Sequence, residues 1–128
     1  MIYLDSSVVL ARIFAEASVP NERFWDLPLT SSRLLLYEVW NRIYARGVKE
    51  SRGRDAEMLL DHVRLVELSN EVLDRALQPF PVSPRTLDAL HLATMDFLRR
   101  RVGEVTLASY DQRLLAAAHA LGIKAAPL

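Results

Sequence analysis

The sequence predicts an α/β fold in which one mainly parallel sheet carries helices on both faces. Two observations predict it. Short apolar runs alternate along the chain with longer stretches of helical spacing, the pattern of successive βα units. The 128 residues are 51% hydrophobic and 25% charged, the balance of a chain that buries one core.

The elements follow in order. "MIYLD" reads as a short buried strand, and "SSVVLARIFAE" continues with helical spacing. "VPNERFWDLP", punctuated by Pro20 and Pro28, predicts irregular chain or a short helix. "LTSS" closes a second short strand. Ser32 is the expected cap of "RLLLYEVWNRIYARG", a helix that stops at Gly47. "VKESRGR" reads as a polar, basic connection, "DAEMLLDH" as a helix, and "VRLVELS" as a strand with Val63, Leu65 and Val66 apolar. "NEVLDRALQ" is a further helix and "PFPVSP" a break. Ser83 as N-cap and Pro84 at the first helical position are expected to open the long helix "RTLDALHLATMDFL". "VGEVTLAS" is a strand, "YDQRLLAAAHALG" a helix ended by Gly122, and "IKAAP" a last strand. No repeat or low-complexity segment interrupts, so residues 1–128 are expected to form a single domain.

Composition excludes several chemistries. With no cysteine there is no disulfide, zinc–thiolate site or thiol nucleophile, and a reducing cytoplasm fits. No apolar run reaches the roughly 18 residues of a membrane span. The first residues lack a basic segment and are broken by Asp5, so they do not read as a signal peptide. Sixteen basic residues balance 16 acidic ones, so the whole molecule offers no strong field to steer a polyanion. Only Lys49 and Lys124 are lysine. Arginine's planar fork suits phosphate, although GC-rich coding gives the same bias. No G-x-G-x-x-G or Walker pattern is present, so no nucleotide-cofactor site is proposed.

The informative residues are four acids from four places. Asp5 ends the first strand and Asp111 follows the strand "EVTLAS". Ligands of open parallel sheets bind outside such carboxyl ends. Glu38 shares a helix face with Leu34, Leu35, Arg42 and Ala45, away from open solvent. Asp88 shares a face with Leu92 and Met95 on a helix that is apolar nearly all the way round. Two carboxylates about 4 Å apart repel by roughly 4 kcal/mol at an effective dielectric of 20. Four gathered together demand a cation, and an all-oxygen set suits Mg²⁺ or Mn²⁺ rather than zinc. Such an ion orients and activates water and stabilises a leaving oxygen. Ser6, beside Asp5, is a candidate to hold a carboxylate or a water.

Each acid also has a purely structural explanation. Ser109 and Gln112 form an S-x-x-Q capping box around Asp111. Asp5 can cap the helix that starts at Ser6. Glu38 and Arg42 stand at i,i+4 for an ion pair. Asp88 lies in the first turns of its helix, where the dipole favours acids.

Four stretches resemble the PIN domain, specifically the small VapC-type toxins of toxin–antitoxin pairs: "MIYLDSSVVLARIFAE", "LLLYEVWNRI", "RTLDALHLATM" and "LASYDQRLLAAAHALGIKAAP". "LDALHLA" and "SYDQRL" are the most specific. The resemblance implies a three-layer α/β/α fold with a central parallel sheet of about five strands in order 3-2-1-4-5. It implies an Mg²⁺- or Mn²⁺-dependent endoribonuclease whose catalytic acids match Asp5, Glu38, Asp88 and Asp111. Asp5, Asp88 and Asp111 are then the expected metal ligands, with Ser6 supporting. It further implies cleavage of single-stranded loops, often in tRNA or rRNA, a cognate VapB-type antitoxin, a homodimer and no membrane. The segment "SVPNERFWDLPL" is short for such a domain and shortens the expected groove wall.

Arg12, Arg42, Arg46 and Arg85, near the acids in sequence, are the candidate RNA contacts, with Tyr110 as a base-stacking residue beside Asp111. Lys49, Arg52 and Arg54 lie in the basic connection. Trp40 and Tyr37 read as core or dimer-packing residues. His91 reads as a helix residue without ligand spacing and not as a general base. A competing expectation from another class is a non-catalytic module that docks RNA or protein on the same scaffold. Four intact acids argue against it. An aspartyl-phosphate mechanism at Asp5 is disfavoured because position 7, where haloacid-type phosphatases carry an acid, is Ser7.

Overall fold

A computed structural model describes residues 1–16 and 18–128. In chain order the elements are β1 (Ile2–Leu4), α1 (Ser6–Ile13), a 3-10 helix (Glu22–Asp26), β2 (Leu29–Ser32), α2 (Leu34–Ala45), α3 (Lys49–Asp61), β3 (Val63–Val66), α4 (Asn70–Ala76), α5 (Thr86–Val102), β4 (Thr106–Ala108), α6 (Gln112–Ala120) and β5 (Lys124–Ala125). The strands form one parallel sheet in the order β3-β2-β1-β4-β5. This is the expected α/β/α arrangement and strand order.

The two-residue period of a strand divides the core. From β1, Ile2 and Leu4 join Val8, Val9, Leu35, Val39, Ile43 and Leu60 of α1, α2 and α3. Tyr3, between them, joins Leu92, Met95 and Leu98 of α5, Leu107 of β4 and Leu114 of α6. A one-residue slip of β1 would exchange the two layers, so the apolar pattern fixes its register. Each fully buried Leu or Met contributes about 1.5–3 kcal/mol. The buried strand β2 is polar over Thr30, Ser31 and Ser32. Its two serine hydroxyls are bonded: Ser31 Oγ donates to the Leu4 carbonyl at 2.7 Å, and Ser32 Oγ accepts from Leu34 N at 3.1 Å. That bond lets Ser32 act on the α2 start, although the N-cap position is Arg33.

Several element starts differ from the sequence expectation. Of "VGEVTLAS", Val102 still belongs to α5 and the strand covers only Thr106–Ala108. "VKESRGR" is mostly helix, because α3 begins at Lys49 and buries Gly53, Ala56 and Leu60 at helical spacing. Gly53 lies flat against the Trp40 ring, and a Cβ there would sit 3.6 Å from it. Helix α5 begins at Thr86, not at Pro84, with Arg85 as N-cap and no side-chain cap bond. Helix α6 is capped by Asp111 itself, whose Oδ1 accepts from Arg113 N at 2.9 Å and Leu114 N at 3.2 Å. Ser109 turns the other way, as described below. Gly47 and Gly122 end their helices at φ +65° and +89°.

Candidate active site

β1 and β4 are neighbours with Leu4 opposite Ala108. Asp5 N donates to the Ala108 carbonyl at 3.0 Å, so the chain leaves both strands side by side. That register brings Asp5, the N-cap of α1, and Asp111, the N-cap of α6, to one edge of the sheet. Glu38 comes from α2 and Asp88 from the first turn of α5. All four acids line one cleft of about 460 Å³, with Ser6, Ser7, Leu10, Arg85, Thr86 and Leu87.

Asp5 is 5% exposed and held by hydroxyl and amide donors. Its Oδ2 accepts from Ser7 Oγ at 2.6 Å, Ser109 Oγ at 2.8 Å and Ser7 N at 3.3 Å. Ser7 Oγ in turn accepts from Tyr110 N at 2.9 Å, and Ser109 Oγ from Asp111 N at 2.9 Å. The two serines therefore tie the β1 end to the β4 end through Asp5. Ser6 lines the cleft, but the carboxylate bond expected of it is made by Ser7.

Arg85 bridges two acids. Its Nε donates to Asp88 Oδ2 at 3.1 Å and its Nη2 to Asp111 Oδ2 at 3.2 Å. The Arg85 side chain is 53% exposed, so solvent screens both contacts and each contributes little to stability. Glu38 does not use Arg42. Its Oε1 accepts from His91 Nε2 at 2.5 Å, and His91 Nδ1 meets Tyr3 Oη at 2.7 Å. Burial alone would push the His91 imidazole down. The bond to Glu38 and the charges of Glu38, Asp5 and Asp88 outweigh it and hold the group above its usual range. Burial pushes the Tyr3 phenol up, so it stays protonated. His91 is 1% exposed and faces the same way as Asp88 three residues earlier.

The donor chemistry fits a hard divalent cation. The four acids are all oxygen donors, and Asp5 has no cationic partner among the described residues. Arg85 offsets one of the four charges. Among the described residues no three acids or imidazoles stand close enough to enclose an ion as they are, and Arg85 sits between Asp88 and Asp111.

Of the five candidate RNA contacts, the cleft lining includes Arg85. Arg12 pairs with Glu22. Arg46 lies over the Phe14 ring, 4.2 Å from its centroid. Arg42 is exposed, and Tyr110 is half-buried against the α1–α2–α3 core. Ser7, Ser109, Tyr3 and His91 are the site residues that sequence reasoning missed. The i,i+3 spacing of Asp88 and His91 was the one available signal for the histidine.

Residues 2–121 match the PIN domain family. The chain belongs to the PIN domain family. Its curated relatives place it near the VapC group. It is 35% identical over 125 residues to Ribonuclease VapC46 of Mycobacterium tuberculosis, covering 95% of this chain and 93% of that protein. It is 28% identical to Ribonuclease VapC47 of the same species over 129 residues, again covering 95% and 93%. Among solved structures, M. tuberculosis VapC20, described as a sarcin–ricin loop cleaving toxin, superposes with a TM-score of 0.64 at 19% identity, covering 91% of this chain and 95% of that one. A toxin–antitoxin complex from Klebsiella pneumoniae gives 0.63 at 16% identity, covering 91% of each chain. These two likenesses concern the fold.

Proposed function

We propose that this PIN domain is a metal-dependent endoribonuclease, the toxin of a VapC-type toxin–antitoxin pair. The observation that carries the proposal is the single cleft lined by Asp5, Glu38, Asp88 and Asp111, acids that four separate elements deliver to the carboxyl edge of the sheet. The relative at 35% identity, named a ribonuclease, supports the reaction class. The reaction is in-line attack of water on an RNA phosphodiester, breaking one P–O bond. Asp5, Asp88 and Asp111 would hold a Mg²⁺ or Mn²⁺ ion, directly or through water. When bound, that ion supplies Lewis-acid stabilisation of the phosphate and a more acidic water.

The remaining roles belong to the chain. Ser7 and Ser109 fix Asp5 through Oδ2 and leave Oδ1 for the cleft. Glu38 orients the attacking water. Arg85 compensates the acids before substrate arrives and, more than half exposed on the rim, is placed to meet a phosphate. A single-stranded loop in tRNA or rRNA, a VapB-type antitoxin, a homodimer and a cytoplasmic location complete the proposal, on the support of VapC-type kinship. No helix among the described residues is long and apolar enough to cross a membrane.

The test maps 5′ ends in total RNA treated with the full chain, with Mg²⁺ or with EDTA. The expected result is a small set of Mg²⁺-dependent cuts, reduced at least about 100-fold by Asp5→Asn. Equal cleavage by both proteins, or none by either, overturns the proposal.

A further inference from the structure

The geometry points to His91 as a positioning residue for Glu38, locked by Tyr3 in a buried relay, and this inference rests on the ribonuclease proposal above. Three contacts define the relay. Ser32 N donates to Tyr3 Oη at 3.2 Å, Tyr3 Oη meets His91 Nδ1 at 2.7 Å, and His91 Nε2 meets Glu38 Oε1 at 2.5 Å. Tyr3 is 0% and His91 1% exposed, whereas the Glu38 side chain is 18% exposed and lines the cleft. The relay thus runs from the core to the one acid that opens onto the site without a serine or arginine partner.

Direction follows from donor counting. An ionised carboxylate only accepts, so Nε2 must carry the hydrogen of the contact to Glu38. That holds for the neutral ring and for the imidazolium alike. The second ring nitrogen is held by a phenol that itself accepts the Ser32 amide. Two bonds at opposite ends of the ring, in a fully packed layer, leave it no other orientation. A carboxylate on a flexible Glu side chain has many rotamers, and anchoring Oε1 removes most of them while leaving Oε2 without a bond to the chain among the described residues. A positioning bond of this kind is worth rate, because misplacement of a reacting group by a fraction of an ångström is costly.

The experiment combines two readouts. First, the metal-free full chain, labelled with ¹⁵N-histidine, is examined for ring protonation. A His91 Nε2–H protected from exchange is expected, with exchange accelerated by Glu38→Gln and by Tyr3→Phe; an unprotonated Nε2 overturns the relay. Second, single-turnover rates at the mapped cut sites in total RNA, together with Mn²⁺ affinity, are compared for wild type, His91→Asn, Tyr3→Phe, Glu38→Gln and the His91→Asn/Glu38→Gln double variant. His91→Asn is expected to lower the rate about 10- to 100-fold, Tyr3→Phe by less, and both to keep Mn²⁺ affinity within about threefold. In the Glu38→Gln background His91→Asn is expected to add nothing. Equal additive losses in both backgrounds overturn the inference, as does an undiminished His91→Asn rate. Wild type that neither binds Mn²⁺ nor cuts RNA counts against the ribonuclease proposal instead, and the ring-proton measurement then judges the relay alone.

Discussion

At the scale of single residues, two aspartates of α5 meet opposite environments. Asp88 faces the cleft beside an exposed arginine. Asp96, eight residues on, has a side chain only 4% exposed and three arginines around it. Arg75 Nε and Arg99 Nη2 each donate at 2.7 Å, and Arg100 stands at 3.2 Å. Burial alone would raise the Asp96 carboxyl, but the bonds from Arg75 and Arg99 and the charge of Arg100 overturn that and hold it below its ordinary value. Asp96→Asn is therefore expected to cost about 2–3 kcal/mol at pH 7, less than for a fully sealed pair because Arg99 and Arg100 reach water. A carboxyl depressed in the folded state stabilises above its unfolded value, near about 4, and the gain disappears as pH falls through the folded value. Urea melts of both proteins check this: the gap is full at pH 7 and closes below about pH 4. Sequence reasoning singled out Asp88 and passed over Asp96, although both sit in the same apolar helix. The i,i+3 and i,i+4 arginines of Asp96 were legible; Arg75, 21 residues away, was not. The same limit explains His91, whose partners lie 88 and 53 residues distant. Pattern within a helix shows which side chains share a face, but not what the fold brings to that face.

At the scale of elements, every strand was placed from the sequence, although β2, polar over Thr30–Ser32, has no apolar period to mark it, and strand order followed from family resemblance. Helix starts were harder, because caps compete. Ser83-Pro84 is a good opening signal, yet α5 starts two residues later. The consequence is functional: with Arg85 at the N-cap, its side chain turns back onto Asp88 at i,i+3. Ser109 likewise gave up the α6 cap to Asp111 and bonds Asp5 instead. The ends of α2 and α6 were legible because glycine at positive φ has few substitutes, whereas α1 stops at Ile13, short of the expected Glu16, and α5 runs on to Val102. Gly122, at φ +89°, closes α6 before β5, and a Cβ there would stand 3.2 Å from Arg99 Nη1. That guanidinium also donates to the Leu121 carbonyl at 2.7 Å. Gly122→Ala therefore adds left-handed strain to a crowded contact and is expected to destabilise by about 1–2 kcal/mol. A lower urea midpoint with unchanged slope checks it; a stability equal to wild type would mean that α6 and β5 can be joined without the left-handed turn.

At the scale of the whole molecule, a balanced formal charge conceals local imbalance. Acids from positions 5, 38, 88 and 111 gather at one edge of the sheet with Arg85 as their arginine, while Arg12, Arg75 and Arg46 are engaged elsewhere in ion pairs or on a ring face. A divalent ion at that edge would tie together β1, α5 and the start of α6, segments that separate completely on unfolding. A ligand that binds only the native chain must stabilise it, by about 2.7 kcal/mol at a concentration 100 times its dissociation constant. For a chain of this size that corresponds to a rise in Tm of roughly 8–13 °C. Asp5→Asn should remove most of the rise. Arg85→Gln should enlarge it, because the same substitution lowers the metal-free Tm by baring Asp88 and Asp111 and removes the cation that competes for them. Screening of the acids by salt would also raise Tm, but it saturates with ionic strength and does not depend on Asp5 in particular. The decisive comparison is thus a Mg²⁺ titration against NaCl at equal ionic strength across the three proteins. Identical curves in both salts, or a Mg²⁺ rise of the same size in all three, would mean that the acids are neutralised by diffuse counterions and that no site-bound ion holds this edge of the sheet together.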